Sequence, residues 1–174
     1  AARLGLDALA ILDVDGMYST VQTTMAARDS GLPIVYGAEL TLTPDALRGI
    51  VPGTRAPGWG LAPGSDDPGI RLPVLAASLT GYANLVGAMS ERALSAPGER
   101  NPRHSLVDLR DASGDLLVLT GGRRGPLMRA LRAGGVTHAR RVLDELADTF
   151  GRDQILVEWQ ATRGDEDEVG DTLA

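Results

Sequence analysis

The opening forty residues constrain this chain most. The run Ala8-Leu9-Ala10-Ile11-Leu12 leads into Asp13-Val14-Asp15-Gly16. A short apolar run bounded by turn residues reads as a buried parallel strand with a loop at its C-terminal end. Residues 18–30 then read as a helix, with Val21, Met25 and Ala26 on one face. Gly31 stops that helix and Pro33 follows it. Pro33 to Tyr36 and Ala38 to Leu42 read as strands with Gly37 between them. Parallel strands joined by a helix make α/β architecture.

The rest of the chain continues the alternation. Residues 44–70 are an exception, rich in Pro (Pro44, Pro52, Pro57, Pro63, Pro68) and Gly, and they read as a mobile insertion. A strand is expected at Leu72 to Ala76, then a helix over 80–95 with Tyr82, Leu85, Val86 and Met89 at helical spacing. A breaker-rich loop spans 96–103, and Ser105 suits the N-cap of a short helix. Leu116 to Leu119 reads as a strand. Gly125-Pro126 starts a helix to about Ala133, and Val136 to Phe150 reads as a second, with Val142, Leu143, Leu146 and Phe150 facing in. Ile155 to Trp159 reads as the last strand. Ala1 to Leu6 reads as the last turn of a helix stopped by Gly5, and Asp165 to Ala174 as an acidic helix start cut short, so a piece of a larger domain is expected.

Composition narrows the function. A chain of 174 residues is one domain or a large piece of one, long enough to bury roughly 70% of its unfolded surface. Cysteine is absent, which excludes disulfides, a zinc ribbon and a thiol nucleophile. Aromatics are 3%, too few for a base-stacking surface. All 17 cationic side chains are Arg, against 23 acidic ones, a net charge of −6. A chain with a pI near 4.9 is a poor solitary binder of nucleic acid. No stretch approaches the length of about 18 apolar residues that a membrane span needs, so no membrane partner is expected.

In α/β folds of this kind the site lies at the strand C-terminal ends. The residues expected there are Asp13, Asp15, Glu39, Thr120, Arg123 and Glu158. Carboxylates from neighbouring strand ends can converge on a hard or borderline cation. Asp-Val-Asp-Gly is equally good turn chemistry. Thr120-Gly121-Gly122-Arg123-Arg124-Gly125-Pro126 can hold an anion at a helix N-terminus, or be a tight strand-to-helix turn. It lacks the Lys and Ser/Thr of a nucleotide-binding loop. His104 and His138 are the only histidines; neither pairs at ligand spacing and both read as solvated. No Ser-His-Asp set is visible.

Leu6 to Tyr18, built around Asp13-Val14-Asp15-Gly16, resembles the second motif of the PHP (polymerase and histidinol phosphatase) domain, an apolar strand followed by Thr-Asp-His-Asp-Gly and a helix. Gly31 to Leu40, with Pro33, Gly37 and Glu39, resembles the next, Gly-x-Pro-x-x-x-Gly-x-Glu. Gly81-Tyr82-Ala83-Asn84-Leu85 is similar to the Gly-Tyr-x-x-Leu helix of bacterial DNA polymerase III alpha subunits. Leu117 to Gly121 and Phe150 to Glu158 match further stations in order. The Thr120–Pro126 turn and the short insertion look most like the error-prone, damage-tolerant branch.

The resemblance implies an α/β, PHP-type distorted (β/α) barrel, incomplete at both ends and spanning 1–174, as the N-terminal module of an error-prone DNA-directed DNA polymerase. It places Asp13 and Glu39 at remnant metal-ligand positions, Val14 where the family has His, and no His near Gln160. It implies Zn or Mn for an intact site, none bound by this piece, and Mg for the parent polymerase. It implies as partners the rest of the polymerase chain, DNA through other domains, and replication or translesion accessory proteins, all in the cytoplasm. On this resemblance the domain is a scaffold. The alternatives are a stand-alone metal-dependent phosphoesterase of the histidinol-phosphatase type and a non-enzymatic remnant that packs on a partner. Gly81-Tyr82 and Thr120-Gly121 argue against the phosphoesterase.

Overall fold

A computed structural model describes residues 1–43, 46–47, 69–99 and 102–159. Its centre is a sheet of five strands: β1 (Leu9–Val14), β2 (Ile34–Leu42), β3 (Ile70–Ala76), β4 (Leu116–Leu119) and β5 (Ile155–Leu156). Each strand pairs with its sequence neighbour, in the order β1-β2-β3-β4-β5, and among the described residues the sheet is open. Helices α1 (Thr20–Ser30), α2 (Leu79–Ser95), α3 (Leu106–Arg110) and α4 (Pro126–Phe150) complete the α/β architecture.

The opening strand–helix–strand unit forms as expected. β1 and β2 run parallel, with Leu9 opposite Ile34 and Val14 opposite Glu39. Gly31 ends α1 in the left-handed conformation (φ 66°), which costs glycine nothing. Two details differ. β2 runs unbroken through Gly37. And α1 buries none of its residues: Val21 and Met25, on the apolar face read from the sequence, are 69% and 63% exposed. The helix is tied to β2 by polar contact instead, the Thr24 and Tyr36 hydroxyls lying 2.5 Å apart.

β3 departs further from the expected pattern. It runs antiparallel to both β2 and β4. Its start, Ile70 and Arg71, therefore lies beside the C-terminal ends of β1, β2 and β4. Most of the 44–69 connection between β2 and β3 lies outside the described residues, as does the expectation that it is mobile. Leu47, inside that stretch, is nonetheless part of the core.

Pairing partners on adjacent strands share a face of the sheet. Ala38, Leu40, Leu42, Leu72, Val74, Leu116 and Val118 make one face, and all are essentially inaccessible. Leu85 of α2, Leu106 and Leu109 of α3, and Ala130, Val142, Leu146 and Phe150 of α4 pack against it. Each such leucine contributes about 1.5–3 kcal/mol. Along β2, β3 and β4 the other face carries Val35, Glu39, Pro73, Leu75, Leu117 and Leu119, which are only partly buried.

Local signals placed the helices well. Ser105 and Asp108 form a reciprocal capping box at the start of α3. α4 breaks at Gly134 and Gly135, whose backbone angles are not helical, so the two expected helices are its two arms. Gly81 lies against Asp115: a Cβ there would sit 2.0 Å from the Asp115 carbonyl oxygen. Its neighbour Tyr82 meets Tyr36 edge to face, ring centres 6.1 Å apart.

Candidate functional site

The strand directions bring Asp13, Asp15, Glu39, Thr41, Arg71 and Thr120 to one end of the sheet. The register then separates the two carboxylates expected to share a metal. Asp13 pairs with Ala38, on the helix-covered face; Glu39 pairs with Val14, on the open face. Val14, 45% exposed, is thus the residue beside Glu39. Asp13 is turned to α1, where its Oδ2 accepts from the Ser19 amide at 2.7 Å and the Ser19 hydroxyl at 2.8 Å. A carboxylate there favours the helix start.

Asp15 is engaged more fully. It stands in the left-handed region (φ 50°), which Asp tolerates better than most residues. Its own amide donates to the Glu39 carbonyl at 3.1 Å. Its Oδ1 accepts from the Thr41 amide at 2.6 Å and its Oδ2 from the Thr41 hydroxyl at 2.5 Å. Arg71 Nη1 lies 3.4 Å from Oδ2 and donates to the Thr41 hydroxyl at 2.7 Å. The Asp15 and Arg71 side chains are only 9% and 15% exposed. Arg71 was not singled out in the sequence, because its partner lies 56 residues away and strand direction alone joins them.

Thr120 is buried and holds the β5 end, its hydroxyl accepting from the Glu158 amide at 3.0 Å. The turn after it closes on itself. The Gly125 amide donates to the Gly122 carbonyl at 2.8 Å, and a Cβ at Gly125 would sit 2.2 Å from the Thr120 carbonyl oxygen. The Arg124 carbonyl accepts from the Arg71 amide at 3.0 Å. The glycines are filled by backbone, which is the tight-turn reading. Arg123 is exposed on that turn.

The histidines correct an expectation. His104 is 2% exposed, not solvated. Its backbone pairs with β2, the amide donating to the Thr41 carbonyl and its carbonyl accepting from the Thr43 amide, each at 2.8 Å. Burial pushes its pKa below the usual 6.5, an effect to which Arg92 adds and which Asp15 and Asp108 oppose. His138 is half-buried, its ring against the Gly134 backbone at the α4 kink.

The carboxylates that the described residues bring to the strand ends do not gather into one set. Among the described residues no group of His, Asp and Glu is arranged to hold a cation. A groove of about 690 Å³ between α2 and α3, lined by Ala83, Gly87, Glu91, Arg92, Val107 and Asp108 among others, includes none of the strand-end carboxylates.

An α/β sheet that gathers acidic and hydroxyl side chains at its strand ends defines the class: an α/β domain with its candidate site at the strand ends. Within it, the chain belongs to the PHP domain family, which matches residues 1–162. It is 38% identical over 159 residues to a protein named error-prone DNA polymerase from Mycolicibacterium paratuberculosis, covering 91% of this chain and 13% of that protein. It is 36% identical to the protein of that name from Mycobacterium tuberculosis, with the same coverage. The chain thus spans about 13% of the length of these relatives. A putative metal-dependent phosphoesterase from Bifidobacterium adolescentis aligns over 89% of this chain and 76% of its own at TM-score 0.42 and 14% identity, too loosely to bear on activity. No helix among the described residues is long and apolar enough to cross a membrane.

Proposed function

We propose that this chain is the PHP module of an error-prone DNA-directed DNA polymerase, acting in replication and damage-tolerant repair synthesis, and that the module is a scaffold with a degenerate metal site. The observation that carries the reading is the identity of 38% spread over 91% of the chain to a protein of that name. Nucleotidyl transfer, with its Mg ions, belongs to other parts of such a polypeptide. Its partners are the rest of that chain, DNA held by other domains, and replication or translesion accessory proteins, in the cytoplasm.

The scaffold part rests on chemistry. Val14 has no lone pair to offer a metal, and the carboxylates nearest it face apart or are already hydrogen-bonded. An immunoblot of the source cells tests the first part: a band several times 18.2 kDa is expected, and a band near 18.2 kDa would remove the polymerase assignment. Hydrolysis of a phosphodiester by the native polypeptide with Mn or Zn tests the second. No hydrolysis above background is expected, and metal-dependent turnover abolished by Glu39→Gln would overturn the scaffold reading.

A further inference from the structure

We propose that Arg71 is the resident cation of this strand-end site, its guanidinium taking the place of a metal ion in holding the acidic loop after β1. The inference rests on the degenerate-site reading and goes further by naming what replaced the metal.

Asp15 needs a positive partner. A carboxylate only 9% exposed bears a desolvation cost that hydroxyl and amide donors alone do not fully offset. Arg71 stands opposite Thr41 in the β2–β3 register, so its side chain emerges on the face that carries Glu39. From there its Nη1 reaches the Asp15 carboxylate and the Thr41 hydroxyl together. Thr41 is the relay, donating to Asp15 while accepting from Arg71. Glu39 is the diagonal neighbour of Arg71, within about 7–8 Å between strands. One fixed positive charge therefore ties the acidic loop after β1 to β2 through Asp15 and Thr41, with Glu39 on the same face, a job a bound cation does in metal-dependent sites. Unlike a metal it is covalently part of β3, is held through a backbone bond to the Arg124 carbonyl, and is insensitive to chelators.

The test is hydrogen exchange by mass spectrometry on the full native polypeptide, read in peptides covering 9–16, 37–43 and 70–76. The Thr41 amide is a direct reporter, because it donates to Asp15. In the wild type, EDTA and Mn are expected to leave exchange unchanged. Arg71→Met should accelerate exchange at Thr41 at least tenfold, and Arg71→Lys should recover part of the loss. Asp15→Asn combined with Arg71→Met should exchange more slowly than Arg71→Met alone, because removing both charges leaves none stranded. Should Arg71→Met give no folded protein, the double variant is still expected to fold, and its failure would overturn the proposal. If EDTA loosens the wild type or Mn tightens it, a metal holds the site, and both this proposal and the scaffold reading fall. If Arg71→Met exchanges like the wild type, Arg71 is not the cation and the proposal falls while the scaffold reading survives.

Discussion

The two faces of the sheet solve different problems with the same strands. On one, Leu40, Leu42, Leu72, Val74 and Val118 are sealed under three helices, and the energy is that of apolar burial. On the other, Glu39, Thr41 and Arg71 stand among half-buried Pro73, Leu75 and Leu117. Polar groups survive there because each finds an internal partner or stays near water. Alternation along a strand makes both faces out of one segment, so a one-residue shift separates a core position from a site position. Asp13 and Val14 show this at the end of β1: the carboxylate faces the helices, and the valine is the residue that pairs with Glu39.

The largest expected effect comes from breaking the covered face. Leu72→Ala should cost about 2–5 kcal/mol, because Leu72 is wholly buried in the core cluster. Leu75→Ala, on the open face of the same strand, should cost less than half as much. Urea unfolding of both variants measures the asymmetry. Equal losses would show that the open face is covered in the native polypeptide.

A smaller effect should follow from the edge of the covered face. Ser105 caps α3 and so holds Leu106 and Leu109 in the core. Ser105→Ala should cost about 1 kcal/mol, read as a lowered urea midpoint with unchanged slope. A changed slope would mean that α3 unfolds separately from the sheet.

His104 makes its contribution at neutral pH and loses it on acidification. Its folded pKa lies below the unfolded value of 6.5, with desolvation as the main cause. Below 6.5 the unfolded chain therefore binds the proton more readily than the folded one. The contribution of neutral His104 is complete above that pH and is lost as pH falls towards the folded pKa. Unfolding midpoints between pH 7.5 and 5 should decline in the wild type and decline less in His104→Leu. Identical slopes would assign the pH dependence to other groups.

Local chemistry was legible in the sequence wherever it is decided within a few residues. Gly31 as a stop, Ser105 as a cap and the Gly134-Gly135 break all follow from backbone and side-chain groups close in the chain. The inward face of α1 was not, because Val21 and Met25 have helical spacing but the sheet meets the helix through Thr24. His104 looked like a loop residue among prolines; its burial comes from a backbone bridge to Leu42, invisible to any local pattern. Arg71 was missed for the same reason. An arginine at a strand start carries no signal of its own, and only the antiparallel direction of β3 brings it to Asp15. The carboxylates at the strand ends were found in sequence, but which of them share a face depends on register, and motif spacing alone does not show it.

The smallest expected effect is also the sharpest test of the open face. Val14→His puts a ligand-type side chain beside Glu39, on the correct face by register. Val14 is 45% exposed, so the substitution should change stability by no more than about 0.5 kcal/mol. One imidazole and one carboxylate are still two donors, short of the three protein ligands a catalytic zinc site usually takes. The guanidinium of Arg71 also remains on that face, and a second positive charge there opposes cation entry. Val14→His should therefore gain neither stoichiometric Zn nor metal-dependent phosphodiester hydrolysis. If it gains both, the open face needs only one missing ligand, and the charge of Arg71 does not keep metal out.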